Sequence, residues 1–299
     1  MIFMGDKLGR NFWHLMAVLT VTIWGTSFVS TKILLGYGFS AVFIFFMRFV
    51  FTYLLLLVLS HDAWRAKNWK DELTMMVGGV MGGTLYFWME NTALTLSPSS
   101  NVSLIVCTNP LLIMITVSLL FKKERLNVRQ IIGSLLTFVG MVLVVLNGRF
   151  FLHLSPKGDL LAFGAAVVWV VYSISMRRLH GKYSTLFITR KVFFYSCLTA
   201  LPLLLCDQND IPWENIKIPV VILNFLLLAL LSSLFGYLVW NMVLKNLGTV
   251  FASNYIYAIP LVTIITAVIV LEERITWVAM LGAVAIVVGM VMAERKGEA

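Results

Sequence analysis

Apolar residues run through this chain in long blocks separated by short polar links. A helix that crosses the roughly 30 Å hydrocarbon layer of a bilayer needs about 20 such residues, and sorting the chain on that length gives ten candidate spans. They cover residues 14–34, 40–60, 74–94, 99–121, 128–147, 158–177, 184–205, 218–243, 249–271 and 275–293. The longest links, near 62–70 and 207–217, leave no room for an extramembrane domain. The first block passes signal-peptide length without a small-residue cleavage site, so it is expected to stay as a span.

Composition removes the soluble alternative. The 299 residues are 60% hydrophobic and only 12% charged, with a mean hydropathy of +0.92, against about half apolar and a quarter charged in soluble domains. Too few polar residues remain to cover a water-soluble globule, whereas a lipid bilayer accepts apolar side chains on the outside. The formal charge of +9 does not point to nucleic acid, because no soluble domain carries it. With the N-terminus in the cytoplasm, fifteen of the 23 Lys and Arg fall on inner loops and tails. Five (Lys32, Arg149, Lys157, Lys217 and Arg274) fall outside, and Arg48, Arg190 and Lys191 lie within spans. That bias fits ten spans with both termini cytoplasmic in a bacterial-type plasma (inner) membrane, since a missed span would invert every later loop. Three cysteines, two of them inside apolar runs, imply no disulfide framework.

The two halves of the chain, 1–150 and 151–299, carry one pattern at an offset of roughly 145 to 150 residues. Trp24 answers Trp169, and Arg48 in FIFFMRFVF answers Arg190 in LFITRKVFF. The run Asn109 to Leu126 answers Ile259 to Ile275, pairing Pro110 with Pro260 and Glu124 with Glu273, while Gly133 and Gly140 answer Gly282 and Gly289. Five spans per copy is an odd number, so the second copy enters the membrane upside down. The expected fold is therefore all-α and integral to the membrane, with ten transmembrane helices arranged as two inverted five-helix repeats.

At these residues the chain resembles the EamA family of the drug/metabolite transporter superfamily over nearly its full length. The resemblance rests on IWGTSF (Ile23 to Phe28), the Arg48-Phe49 pair, the fourth-span run ending in FKKERL, GDLLAFGAAVVWVVY (Gly158 to Tyr172) and the Pro260 to Glu273 run. It implies an exporter-like carrier with a central cavity and with the fifth and tenth helices at the periphery. Relatives of this kind handle amino acids, drugs, sugars and other metabolites, so the resemblance does not fix the substrate.

Polar side chains within spans face protein or water, because an unpaired polar atom in hydrocarbon costs several kcal/mol. Thr20, Trp24, Ser27 and Thr31 form one helical stripe, and Gly79, Gly83, Tyr86 and Glu90 another. Asn101 and Thr108, then Trp169, Tyr172 and Ser173, then Ser233, Tyr237 and Asn241, then Asn254 and Tyr257 supply further helices. Stripes of this kind either surround a common substrate cavity or act as interhelical glue and aromatic belts. The cavity set carried forward is Trp24, Ser27, Arg48, Tyr86, Glu90, Asn101, Trp169, Tyr172, Arg190, Tyr237, Asn241, Asn254 and Tyr257.

Arg48 and Arg190 lie about 12 and 9 Å deep at 1.5 Å per residue, on opposite sides of the midplane. They can form the two ends of an anion path, or each can hold a neighbouring helix's carbonyls or snorkel to the interface. Glu90, an acidic residue inside a span, can bind a substrate amine or a proton, or sit solvated at its helix end. Glu124 and Glu273 read as helix-end partners of Arg125 and Arg274. Pro110 and Pro260 interrupt repeat-related spans, and with Gly83 and Gly236 they are the candidate gate or hinge positions.

No GxxxxGK[ST], HExxH or GxSxG motif occurs, and all four histidines lie at span ends or in links. The reading is accordingly not an enzyme, with no catalytic residue, metal or cofactor. It is a secondary transporter driven by the gradient of its substrate or of protons. Export of amino acids or similar small polar metabolites by alternating access is expected, the direction resting on the resemblance alone. The alternatives are an importer or exchanger of anionic metabolites and, from a different class, an intramembrane sensor or enzyme. The oligomeric state is open.

Overall fold

A computed structural model describes residues 9–60, 64–97, 99–121, 127–146, 155–262, 265 and 276–293, without the side chains of 99–101, 145 and 279. Every regular element among them is helical. Glu124 and Glu273 lie outside the described residues.

Helix α1 spans Arg10–Gly36 and α2 spans Ala41–Leu59. Between them Gly38 takes a φ of 87°, a left-handed value that favours glycine, and the Ser40 hydroxyl accepts from Phe43 N at 3.1 Å to cap α2. Helix α3 is one rod in three stretches, Trp69–Gly79, a π-helical Val80–Leu85 and Tyr86–Leu96. Helix α4 is broken, Ser99–Val106 followed by Asn109–Leu120. Helices α5, α6 and α7 are Val128–Leu146, Pro156–Leu179 and Thr185–Leu205. Helix α8 repeats the design of α3, with a π-helical Leu227–Phe235 between Pro219–Leu226 and Gly236–Leu247. Gly248, at φ 84°, turns the chain into α9, Thr249–Ser253 followed by a 3-10 stretch Asn254–Ala258, and α10 is Trp277–Ala293.

By length and composition, six helices among the described residues can cross a membrane: Arg10–Gly36, Ala41–Leu59, Val102–Leu120, Pro156–Leu179, Thr185–Leu205 and Pro219–Leu247. Large apolar side chains such as Val58, Leu119, Leu160 and Leu205 are exposed on these helices, as a hydrocarbon solvent allows. The chain is an integral membrane protein.

Inside, the helices pair in a regular way. α1 lies on α8 and α3 on α6; α2 packs on α7, α4 on α9, and α5 on α10. The last pair stands at the edge and is the closest of all. A Cβ on Gly133 would sit 2.7 Å from the Gly289 carbonyl oxygen, and one on Gly140 at the same distance from that of Gly282. Only glycine permits that backbone approach. Pro110 occupies the first turn of the second piece of α4, where its missing N–H costs nothing. It therefore follows a break at Cys107 and Thr108 rather than kinking a continuous helix. Pro260 stands likewise just beyond the 3-10 stretch of α9.

Candidate functional site

The crossing of α1, α2, α3, α6 and α8, closed by the breaks of α4 and α9, leaves a hollow of about 40 Å³. It lies toward the end of the bundle that carries residues 37–40, since its α1 lining runs from Trp24 to Thr31 and its α3 lining from Tyr86 to Leu94. Binding pockets for small ligands measure roughly 300–1,000 Å³, so the hollow in this conformation is smaller than such a ligand requires.

Arg48 forms one wall. Its Nε donates to Ser233 Oγ at 2.7 Å and its Nη2 to Ser232 Oγ at 2.9 Å, while the guanidinium lies over the Phe87 ring, 4.6 Å from its centroid. A cation at this depth is tolerated because hydroxyls and a π face replace water. Glu90 forms another wall, its Oε1 accepting from the Tyr86 hydroxyl at 2.7 Å. Arg48 and Glu90 share the hollow without forming an ion pair to each other. Each charge therefore keeps capacity for a ligand.

Aromatic rings line the same hollow. Trp24 meets Trp169 edge-on at 5.7 Å between centroids, and Tyr237 lies 6.2 Å from the first and 6.1 Å from the second. Trp24 Nε1 donates to the Ser232 carbonyl at 3.0 Å. Two buried polar atoms on the lining, Trp169 Nε1 and Asn109 Oδ1, have no hydrogen-bond partner. One is a donor and one an acceptor.

Of the residues anticipated from sequence, Trp24, Ser27, Arg48, Tyr86, Glu90, Trp169 and Tyr237 line this hollow together. Tyr172 and Asn241 form the layer behind it, the Tyr172 hydroxyl donating to Asn241 Oδ1 at 3.1 Å and Asn241 Nδ2 to Thr189 Oγ1 at 3.3 Å. Asn254 lies elsewhere, its Oδ1 accepting from Ser134 Oγ at 3.1 Å, and Tyr257 packs on Phe138. Arg190 lies near the other end of the bundle, donating from Nη1 to the Ser60 carbonyl beyond α2 at 2.9 Å. The Asn101 side chain is outside the described residues.

Gly83 and Gly236 are points of close approach: a Cβ on the first would collide with the Ser196 hydroxyl, and one on the second would stand 2.6 Å from Trp24 Nε1. Sequence reasoning passed over Asn109, Cys107, Phe87 and Ser232, which also line the hollow. Asn109 was signalled only by its place beside Pro110, and Ser232 by adjoining the stripe residue Ser233.

The sequence pattern of the EamA-like transporter family matches residues 11–146 and again residues 156–294. The chain belongs to the EamA-like transporter family. An uncharacterized transporter of Archaeoglobus fulgidus is 27% identical to this EamA-like chain over 289 residues, 95% of this chain and 97% of its own. A probable amino-acid metabolite efflux pump of Salmonella typhimurium is 25% identical, covering 92% of each chain. A probable terminal-alkyne amino-acid exporter of Streptantibioticus cattleyicolor is 23% identical over 97% of this chain and 95% of its own. A solved crystal structure superposes with a TM-score of 0.74 at 20% identity, covering 95% of this chain and 98% of that one, a likeness of fold.

Proposed function

We propose that this EamA-like transporter exports amino acids or similar small zwitterionic metabolites across a bacterial plasma membrane by alternating access. The carrying observation is that one guanidinium and one carboxylate, Arg48 and Glu90, face the same aromatic-walled hollow without neutralising each other. A carboxylate finds Arg48 and the free Trp169 N–H; an ammonium finds Glu90 and the free Asn109 oxygen. The rings on the same lining suit an apolar side chain. Glu90 is also the group that would carry a proton if transport is proton-coupled.

The architecture we infer is ten spans in two inverted repeats, 1–150 and 151–299, with both termini cytoplasmic. Supporting it are the paired matches to one family pattern and the helix contacts. Exchanging the halves maps α1 on α8 onto α6 on α3, and returns α2 on α7, α4 on α9 and α5 on α10 to themselves. Export direction is supported by the names of the efflux pump and exporter relatives. The anion-exchange alternative needs a path that joins Arg48 to Arg190, and the hollow is lined by Arg48 and not by Arg190.

Purified protein in liposomes loaded with a panel of labelled amino acids tests the proposal. Counterflow is expected for zwitterions, and Glu90→Gln is expected to reduce it while sparing carboxylates that lack an amine. Equal transport of solutes with and without the ammonium group, unaffected by Glu90→Gln, would refute the zwitterion assignment.

A further inference from the structure

The two π-helical stretches mark the same place in the two halves, Val80–Leu85 in α3 and Leu227–Phe235 in α8. Such stretches disturb the normal backbone ladder and frequently occur at functional sites, and here side chains from other helices bond to the carbonyls in and just before them. In α8, Thr52 Oγ1 donates to the Ala229 carbonyl at 2.9 Å and Trp24 Nε1 to the Ser232 carbonyl at 3.0 Å. In α3, Ser196 Oγ donates to the Gly79 carbonyl at 2.9 Å and the Tyr237 hydroxyl to the Gly82 carbonyl at 2.6 Å.

Gly79 and Ala229 are 150 residues apart, and so are Gly82 and Ser232. Thr52 from α2 and Ser196 from α7 make equivalent bonds. The fourth bond breaks the symmetry. The counterpart of Trp24 is Trp169, yet the Gly82 carbonyl is held by Tyr237, and Trp169 Nε1 is left without a partner although the residue is only 4% exposed. A buried donor left unpaired in one half, beside its paired twin in the other, is what a two-position device shows when caught in one position.

We propose that Trp24 and Trp169 are reciprocal latches of the transport cycle, an inference that rests on the inverted-repeat reading above. In the present conformation Trp24 ties α1 to the Ser232 carbonyl, and the hollow lies toward residues 37–40. In the opposite conformation Trp169 ties α6 to the Gly82 carbonyl, Tyr237 gives up that oxygen, and Trp24 is released. The rings pack edge-on against each other and both against Tyr237, so one indole cannot swing without the others moving. The glycines fit the role: a Cβ at Gly236 would press on Trp24 Nε1, and one at Gly82 would run into the Tyr172 ring.

The test uses the full chain in nanodiscs with Cys107, Cys197 and Cys206 replaced by Ser and one reporter, Leu94→Cys, on the hollow's lining toward residues 37–40. A hydrophilic maleimide reads how open that end is. Trp24→Phe is expected to slow labelling at least threefold, because it removes the latch that holds this conformation. Tyr237→Phe is expected to slow it as well, by freeing Gly82 for Trp169. Trp169→Phe is expected to leave the rate unchanged or raise it. Where Trp24→Phe fails to fold, Gly236→Ala displaces the same indole and should give the same slowing.

Trp24→Phe or its substitute within twofold of the parent rate, or Trp169→Phe slowing labelling as much, overturns the latch. So does loss of substrate affinity in Trp169→Phe with Tyr237→Phe labelling at the parent rate, since that indole would then serve the substrate alone. Amino-acid counterflow in the same preparations separates the two ideas. Flux in the parent background with unshifted labelling in the variants removes the latch only, and shifted labelling in the variants with no amino-acid flux in the parent background removes the substrate assignment only.

Discussion

Arg48, proposed to meet the substrate carboxylate, is itself held in place by the bundle. Two of its N–H groups are spent on Ser232 and Ser233, and the remainder can meet a carboxylate. Arg48→Lys keeps the charge but cannot span both hydroxyls. Its expected effect is about a 10- to 100-fold rise in substrate Kd, the equivalent of about 1.5–3 kcal/mol for hydrogen bonds to a charged group, measured by isothermal titration or scintillation proximity. A Kd within twofold of the parent would place the guanidinium outside the binding site. His180, just past the end of α6, offers a different reading of pH. Burial, reinforced by the positive Lys245 and Arg177, pushes its imidazole down to about 4. A depressed histidine is neutral in the folded state, so its contribution to stability is complete above about 6.5 and lost as pH falls toward 4. The melting temperature should therefore drop between pH 7 and 5, and His180→Asn should flatten that part of the profile. An unchanged slope in the variant would assign the pH dependence to other groups.

At the scale of the element, the tight pair α5 and α10 is held by glycines whose missing side chains let backbones touch. Gly133→Leu forces a side chain to where the Gly289 oxygen and the Ala293 backbone already stand. Overpacking of this kind costs about 1–3 kcal/mol, and the expected result is a lower melting temperature in detergent with an unaltered KM in the protein that remains folded. A changed KM would mean that this pair shapes the hollow. Apolar runs made the helices legible from sequence, whereas the contact between these two was not: their glycines marked matching positions in the two halves, and it was the resemblance that put both helices at the periphery. The π stretches were not legible, because a shift from four- to five-residue bonding leaves no compositional trace in LLALLSSLF. The breaks in α4 and α9 were half legible. Proline signalled them, but the chain turns before Pro110 rather than at it, since proline belongs in a first turn. Asn241 and Tyr172 shared a stripe with cavity residues and yet form the layer behind, because a helical stripe is wider than the hollow it faces.

Across the whole molecule, the described residues fasten the two ends of the bundle by different chemistry. At the end away from the hollow, Lys182 pairs with Asp71 at 3.0 Å, which also accepts from the Tyr183 hydroxyl at 3.0 Å. There Glu72 takes Lys191 and Tyr195 together and accepts from Ala66 N at 2.8 Å. Among the described residues, the end carrying residues 37–40 shows hydrogen bonds in place of ion pairs: Asn215 to the Tyr37 carbonyl at 2.9 Å, Ser40 to Asp207, and Ser97 to Asp159 at 3.3 Å. A transporter caught with its hollow near the hydrogen-bonded end is closed by charge at the other. Lys191 is 3% exposed, so Glu72→Gln leaves a buried ammonium held by the Trp64 carbonyl at 3.2 Å without its carboxylate. Breaking a fully buried pair costs about 3–5 kcal/mol, and the 25% exposure of Glu72 lowers that cost. The conformation can escape that cost by opening the charged end to water. Labelling of Ala66→Cys in the cysteine-free background is therefore expected to rise tenfold or more with Glu72→Gln. Adding Lys191→Met removes the stranded charge and should return the rate most of the way to the parent value. If the double variant labels as fast as Glu72→Gln alone, the ion pair is not what shuts that end. The closure would then lie with the Asp71 cluster, which Asp71→Asn would open in the same assay.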